Sequence, residues 1–244
     1  MGRPFLPAPA ELARDVLDEH GYVVLRDVGG QDSAAEVLGR IGELIPQYSG
    51  SPTHEVTYRA GNDGRSYSQS ANTILAHTEA PGWDPSPAYL ALYCHRQARC
   101  GGGHTDLLDV ETLLPMLTEE EAALLVEPEL VFPAADGRRL RTTMLGSAAG
   151  GRRLLRFSFN LLTAGDYDPP LAAAPVEGEL PLGPAGRALA HRVSDLFAEF
   201  RTRILIPNDG LLVWDNQRML HARSSYQDKR RHLTRFWVSD RRVA

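Results

Sequence analysis

The chain has 244 residues, of which 43% are hydrophobic and 23% charged, and its formal net charge is −5. These values are typical of a globular protein and exclude a disordered or collagen-like chain. No apolar run approaches the roughly 20 residues of a membrane-spanning helix, and the net negative charge argues against nucleic-acid binding by bulk charge.

We expect a single domain over residues 1–244, with neither nucleic acid nor membrane as partner. The N-terminus lacks the long apolar run of a signal peptide, which predicts a cytoplasmic protein. We expect Cys94 to be a buried thiol and Cys100 to be a loop thiol. Two cysteines six residues apart, without a matching pair, give no disulfide scaffold and no zinc signature. The sequence gives no prediction of the oligomeric state.

Hydrophobic periodicity and turn residues predict the elements of the first half of the chain. They are helices over 10–20, 33–44 and 118–125, strands over 22–26 and 88–95, and a polar loop over 46–72 with one strand near Val56. The third helix has the strongest local signal, since Thr118 followed by Glu121 forms a capping box.

The second half adds strands and one long amphipathic helix. The predicted elements are strands over 139–144, 154–159, 204–206, 211–214 and 233–238, a helix over 184–201, and an irregular insert over 163–184. We expect the turn Asn208-Asp209-Gly210 to close a hairpin between two of these strands. Many short strands with a few flanking helices, and no βαβ alternation, predict a mainly β protein of the sandwich or jelly-roll type.

Two histidines have an acidic residue at the second position after them, in His77-Thr78-Glu79 and His104-Thr105-Asp106. On a strand, residues i and i+2 point to the same face, so either pair can offer an imidazole and a carboxylate to one metal ion. The chain has eight histidines and 31 acidic residues, so such pairs also arise by chance. The pairs alone therefore do not decide between a metal site and a surface strand.

The C-terminal segments WDNQRMLHAR (214–223) and RHLTRFWV (231–238) resemble the end of the Fe(II)/2-oxoglutarate dioxygenases. The similar branch of that family contains taurine dioxygenase, γ-butyrobetaine hydroxylase and clavaminate synthase. Upstream, His77-Thr78-Glu79 is similar to the HT[DE] motif of this family, and Gly102-Gly103-His104-Thr105 is similar to its GG-x-T motif. The four motifs occur in the family's order.

The resemblance implies a double-stranded β-helix, which is a cupin-like jelly roll, and an enzyme that uses Fe(II), 2-oxoglutarate and O2. It implies Fe(II) ligation by His77, Glu79 and His221 and 2-oxoglutarate binding by Arg231 and Thr105. Arg235 stays open as an alternative anchor for 2-oxoglutarate. In this family a ferryl species forms with release of succinate and CO2, and it hydroxylates, desaturates or cyclises the substrate.

The resemblance also favours His77 and Glu79 over His104 and Asp106 as metal ligands, and it leaves the role of His104 open. Glu79 fills the position where halogenases of the family have Gly or Ala, so it implies oxygenation. The substrate is expected to be a small amino-acid-like or carboxylate compound. The candidate substrate contacts are Arg235, Asn72 and Asn160, the last of them alternating with Ser158 at the end of the predicted strand over 154–159.

Two other classes stay open. A zinc hydrolase can use the same His77, Glu79 and His221 set, but it has no need for Arg231 or Thr105. A non-catalytic jelly-roll binding protein needs no metal ligands at all. Dependence on 2-oxoglutarate separates the oxygenase from both.

Overall fold

The computed structural model describes residues 5–7, 13–99, 101–148, 151–172 and 180–240. The start of the first predicted helix (10–12), Cys100, and part of the predicted insert (173–179) lie outside the described residues. The described residues form two larger sheets and two small hairpins with helices around them, which confirms the mainly β prediction.

The strands are β1 (Phe5–Pro7), β2 (Tyr22–Arg26), β3 (Thr53–Thr57), β4 (Ile74–His77), β5 (Tyr89–Arg96), β6 (Thr105–Asp109), β7 (Leu130–Pro133), β8 (Arg139–Thr142), β9 (Leu145–Ser147), β10 (Arg153–Leu155), β11 (Thr202–Ile204), β12 (Gly210–Asp215), β13 (Met219–Arg223) and β14 (His232–Val238). The helices are α1 (Ala13–His20), α2 (Gln31–Ile41), α3 (Val110–Leu113), α4 (Glu119–Val126), α5 (Phe159–Ala164) and α6 (Gly183–Phe200), and a 3₁₀ turn spans Leu114–Met116.

The six-stranded sheet has the order β1-β2-β12-β5-β14-β3, and the four-stranded sheet has the order β11-β6-β13-β4. Every strand pair in them is antiparallel except β1 with β2. Side chains alternate between the two faces of each strand. On β12, Leu212 and Trp214 face the other sheet, whereas Leu211 and Val213 pack against the cluster that includes helices α1 and α2.

Three apolar clusters follow from this alternation. One lies between the two sheets and includes Leu92 and Leu107; another lies between α1, α2 and the outer face of the six-stranded sheet. The third lies behind the four-stranded sheet, where Leu189 and Val193 of α6 pack with Leu220 of β13. Burial of these apolar faces stabilises the two sheets as a sandwich.

Local signals predicted four of the six described helices, α1, α2, α4 and α6, whereas α3 and α5 were not predicted. Thr118 caps α4, its hydroxyl accepting from the Glu121 N–H at 3.2 Å while the Glu121 carboxylate accepts from the Thr118 N–H at 2.9 Å. Helix α6 covers the predicted helix over 184–201 within one residue at each end. Cys94 is buried in β5, as predicted.

The predicted hairpin around Asn208-Asp209-Gly210 is wrong. Strand β11 belongs to the four-stranded sheet and pairs with β6, whereas β12 lies in the six-stranded sheet. The polar side chains of the turn bind other elements instead: the Asp209 carboxylate accepts from the Gly29 N–H at 2.9 Å and from the Tyr93 hydroxyl at 2.8 Å. The segment therefore carries the chain from one sheet to the other.

The predicted strand over 154–159 is also too long. Strand β10 ends at Leu155, and the Ser158 hydroxyl accepts from the Leu161 N–H at 3.2 Å to cap helix α5. Asn160 therefore lies in the first turn of a helix. A serine at this position favours a helix start over a continued strand.

Candidate metal centre and its two cavities

Two histidines face each other across neighbouring strands of the four-stranded sheet. His221 of β13 is paired with His77, the last residue of β4. On β13 the neighbours of His221, Leu220 and Ala222, point to the outer apolar cluster, so the imidazole points to the space between the sheets. The ring centroids of the two histidines are 4.1 Å apart.

Glu79 completes the group. Its Oε2 lies 3.9 Å from Nε2 of His77 and 3.9 Å from Nε2 of His221. The three possible ligand atoms all lie within 4.8 Å of one another, and in the described part of the chain this is the one such cluster of His, Cys, Asp or Glu. Two imidazoles and one carboxylate form the ligand set of non-haem iron(II) oxygenases.

Neighbouring groups orient these ligands. The Nδ1 of His77 donates to the Leu75 carbonyl at 2.8 Å, which leaves Nε2 as the free lone pair. The backbone of Glu79 is held by Asn216, whose Oδ1 accepts from its N–H at 2.8 Å and whose Nδ2 donates to its carbonyl at 3.1 Å. Burial lowers the pKa of both His77 and His221, so both imidazoles are neutral and able to bind a metal ion.

The rival pair does not form a site. The Asp106 carboxylate forms ion pairs with Arg201 at 3.3 Å and with Arg203 at 3.2 Å. His104 contributes its backbone carbonyl, which accepts from the Ser224 N–H at 3.1 Å, and its Nδ1 lies 3.5 Å from the Ser224 hydroxyl. The structure therefore gives His104 a local role in packing against the chain after β13.

A small cavity of about 60 Å³ opens beside the three ligands. Its wall includes Thr105 and Arg231, the two residues expected to bind 2-oxoglutarate, and also Arg223. Arg231 is 1% exposed, and it donates to Gln97 Oε1 and to the Gly103 carbonyl, both at 3.2 Å. Its Nη1 is buried and has no hydrogen-bond partner in the part of the chain that the structure describes, so one donor can face a ligand.

A larger cavity of about 650 Å³ lies on the other side of His77 and Glu79. Arg235 lines it: its Nη1 forms an ion pair with Glu79 Oε1 at 2.8 Å, and its Nε donates to Gln47 Oε1 at 2.9 Å. Arg235 lines both cavities, whereas Arg231 lines the small cavity and not the large one. The two arginines of the R-x-L-x-R pattern thus occupy different places relative to Glu79.

The two candidate asparagines differ in position. Asn160 lines the large cavity, and its amide donates to the Tyr167 carbonyl at 2.8 Å. Asn72 is outside the walls of both cavities, and its amide donates to the carbonyls of Asp63 at 2.7 Å and Arg65 at 2.8 Å. The structure therefore gives Asn72 a role in holding the loop before β4.

Sequence reasoning missed two titratable residues of the large cavity. Burial, together with Arg235, lowers the pKa of His54 to about 4, so this imidazole is neutral above that pH. Burial, together with Glu79 and Asp166, raises the pKa of Asp168 to about 6. No motif marks either residue: His54 lies in a strand that was predicted only near Val56, and Asp168 lies in the irregular insert.

Comparisons with known proteins agree with this geometry. Residues 3–237 match the family model described as "Taurine catabolism dioxygenase TauD, TfdA family". The chain belongs to this family. Membership of the TauD/TfdA family confirms the resemblance found in the sequence motifs, and it makes the chain an oxidoreductase of the dioxygenase type.

Solved structures show the same fold as this TauD/TfdA family member. Asparagine oxygenase in complex with Fe(II), 2S,3S-3-hydroxyasparagine and succinate has a TM-score of 0.71 and 18% identity over 95% of this chain and 80% of that chain. The non-heme iron oxygenase OrfP in complex with Fe and alpha-ketoglutaric acid has a TM-score of 0.68 and 16% identity over 94% and 78%. PvcB from Pseudomonas aeruginosa has a TM-score of 0.65 and 16% identity over 94% and 80%.

No curated protein sequence matches the chain. Among the described residues, no helix has the length and apolar composition needed to cross a bilayer.

Proposed function

We propose that the protein is an Fe(II)- and 2-oxoglutarate-dependent oxygenase that acts on a small amino-acid-like substrate. One observation carries the proposal: His77, Glu79 and His221 converge where a narrow cavity with an unpaired buried arginine meets a wide cavity. A hydrolytic zinc site uses the same ligands, but it does not account for a buried guanidinium with a free donor beside them.

The donor set fits Fe(II). Two neutral imidazoles and one carboxylate are present, and contacts outside the ligand set fix the orientation of His77 and Glu79. When bound, the iron and 2-oxoglutarate supply the oxidising chemistry, with O2 as oxidant and succinate and CO2 as co-products. The residues of this chain bind, orient and shield the reactants.

Arg231 and Thr105 fit the distal carboxylate of 2-oxoglutarate. A guanidinium is always charged and pairs with a carboxylate through two parallel hydrogen bonds, and a hydroxyl adds a third. Arg231 and Thr105 are 1% and 3% exposed, and Leu90, Leu92 and Trp214 also line this cavity. The low exposure keeps competing water away from the ion pair.

Arg235 fits two tasks. Its contact with Glu79 Oε1 orients that carboxylate so that Oε2 faces the two histidines. Among the described residues no hydrogen bond engages its Nη2, so this donor is available to a substrate carboxylate in the large cavity. These contacts support Arg231 as the 2-oxoglutarate anchor and Arg235 as a substrate residue.

The charge of the large cavity favours a substrate that also carries a cation. Among the described residues, its charged groups are three carboxylates, from Glu79, Asp166 and Asp168, and one guanidinium, from Arg235. His54 is neutral, and a divalent ion with a dianionic co-substrate adds no net charge. Asp168 has no ion-pair partner among the described residues, so we include in the proposal that it binds an ammonium or guanidinium group of the substrate.

An anaerobic titration of the protein with Fe(II) and 2-oxoglutarate tests the cofactor assignment. We expect a visible metal-to-ligand charge-transfer band that is lost in His77→Ala and much weaker in Arg231→Leu, because one removes a metal ligand and the other the anchor of the chelating co-substrate. Absence of the band in the intact protein would contradict the oxygenase and favour the zinc hydrolase or binding-protein alternatives.

Substrate charge is tested with a matched pair of amino acids. L-Arginine and L-citrulline have nearly the same shape, but only L-arginine is cationic at its side chain. We expect L-arginine to stimulate succinate formation at much lower concentration than L-citrulline. In Asp168→Asn the KM for L-arginine should rise about tenfold, which corresponds to about 1.4 kcal/mol, and the KM for 2-oxoglutarate should stay constant.

The control for that comparison is Asp136→Asn, which removes an exposed carboxylate paired with Arg138 outside the cavity.

The pH dependence gives a second check. Burial raises the pKa of Asp168 to about 6, so the carboxylate loses its charge as the pH falls below that value, and the KM for L-arginine should rise. Equal responses to L-arginine and L-citrulline would rule out a cationic side chain as the group that Asp168 binds and leave the oxygenase standing.

A further inference from the structure

Two buried arginines have no acidic partner among the described residues. In the described part of the chain, Arg156, Arg223 and Arg231 are buried, with 4%, 6% and 1% exposure. Arg156 has the Asp84 carboxylate at 3.2 Å. Neither Arg223 nor Arg231 has a carboxylate within ion-pair distance among the described residues.

Within the described residues, Arg223 donates only to neutral acceptors. Its Nη1 binds the Ser68 carbonyl at 2.8 Å, and its Nη2 binds the carbonyls of Tyr67 at 3.3 Å, Ser70 at 2.8 Å and Asn72 at 2.6 Å. In the same part of the chain, Nε of Arg223 and Nη1 of Arg231 are buried without a hydrogen-bond partner. A buried donor left without an acceptor is costly, so two of them in one place indicate a missing ligand.

Both arginines belong to the same small cavity. Arg223 of β13 is paired with Thr105 of β6, so the two side chains leave the four-stranded sheet on the same face. The guanidinium carbons of Arg223 and Arg231 lie 5.2 and 5.1 Å from the centre of the Tyr226 ring. The cavity of about 60 Å³ has room for about two water-sized groups, which is the size of one carboxylate.

The electrostatics of this arrangement favour an anion. Arg223 and Arg231 bring two buried guanidinium groups to the wall of one small cavity, and neither has a carboxylate within ion-pair distance among the described residues. Two buried cations without a counter-charge repel each other in a medium of low polarity. A carboxylate that enters the cavity relieves this repulsion and accepts from the free donors.

We propose that Arg223 is a second cationic determinant of this cavity, and that Arg223 and Arg231 together bind one end of a dicarboxylate without any metal. The inference rests on the proposed function only in taking 2-oxoglutarate as the natural dicarboxylate. Arg223 is a positioning residue as well as a charge, because its four carbonyl contacts hold the loop that carries Ser68, which lines both cavities.

The first test uses the wild-type chain after treatment with a chelator. Glutarate has the carbon chain and both carboxylates of 2-oxoglutarate but no keto group. We expect calorimetry to show saturable binding of glutarate to the metal-free protein, weakened by added salt, and no binding of the neutral diamide of glutarate. Metal-free protein that does not bind glutarate would overturn the proposal.

Variants then separate charge from structure. Arg223→Gln should weaken glutarate binding about tenfold, which is about 1.4 kcal/mol, whereas Arg223→Lys should keep most of the affinity. Equal losses in the two variants would mean that Arg223 only holds the loop, and this would overturn the electrostatic role. If Arg223→Gln does not fold, Arg223→Lys and the salt dependence of the wild type still decide.

Arg156→Gln is the matched control. Arg156 is equally buried and donates to the carbonyls of Pro81 and Trp83, but it lies outside the small cavity. We expect this variant to lose stability and keep its glutarate affinity. Glutarate binding together with no charge-transfer band for Fe(II) and 2-oxoglutarate would contradict the proposed function and leave this inference intact.

Discussion

The backbone of Gly103 lies so close to Arg231 that one methyl group would displace the guanidinium. A Cβ on Gly103 would lie 2.9 Å from Nε and 3.0 Å from Cδ of Arg231, and the φ angle of Gly103 is +79°. The Gly103 carbonyl also accepts from Nη2 of Arg231. This close approach explains in physical terms why the GG-x-T motif places a glycine here.

Gly103→Ala should therefore raise the KM for 2-oxoglutarate about tenfold, with a smaller effect on Fe(II) binding. The measurement is steady-state succinate formation as a function of 2-oxoglutarate, together with an Fe(II) titration. Gly101→Ala is the control, because Gly101 has a similar φ of +78° but no atom within 4 Å of an added Cβ. An equal effect of the two variants would assign the change to backbone strain and contradict the role given to contact with Arg231.

Single residues of the site were predictable when a motif fixed their spacing, as for His77, Glu79 and His221. Asn216 lies within the segment WDNQRMLHAR, but nothing in the sequence shows that its amide binds the backbone of Glu79, 137 residues away. The contacts of Arg223 could not be predicted either, since its partners are backbone carbonyls, which have no sequence signal. Asp168 could not be found, because only the cavity shows which face of the insert it lies on.

At the scale of elements, helices were predicted more accurately than strand pairings. A helix such as α4 or α6 closes its hydrogen bonds within its own segment, so caps and period give its bounds. A strand has its hydrogen-bond partners elsewhere in the chain. The apolar sequences of β11 and β12 therefore do not indicate which sheet each strand joins. The hairpin prediction is wrong for this reason: strands that are adjacent in sequence need not pair with each other.

The pair His77 and Glu79 shows the same limit on a smaller scale. Strand alternation predicted that both side chains share a face, yet β4 ends at His77 and Glu79 lies two residues beyond it, ahead of Ala80 with φ +50°. Asn216, rather than a strand ladder, fixes the Glu79 backbone. The predicted convergence holds, but its cause is a turn held by a distant side chain.

On the scale of the whole molecule, the site joins the two sheets. The proposed metal ligands come from β4, the turn after it and β13, whereas Arg231 directly precedes β14 of the six-stranded sheet and Arg235 lies within it. The sheets are held together by the apolar cluster between them, and the other two clusters hold the helices. His77, Glu79 and His221 belong to none of these three clusters, so we expect the apolar packing to form without a metal ion, unlike that of a structural zinc site.

Removal of the metal should therefore lower stability and leave the fold intact. A ligand that binds only the folded state at 100 times its dissociation constant adds about 2.7 kcal/mol to the free energy of unfolding, which for a chain of this size is roughly 5–10 °C in Tm. We expect a chelator to remove this increment in calorimetry while the far-ultraviolet circular dichroism stays unchanged. His77→Ala should show no increment with Fe(II), and loss of the β spectrum on chelation would mean that the metal organises the sheets themselves.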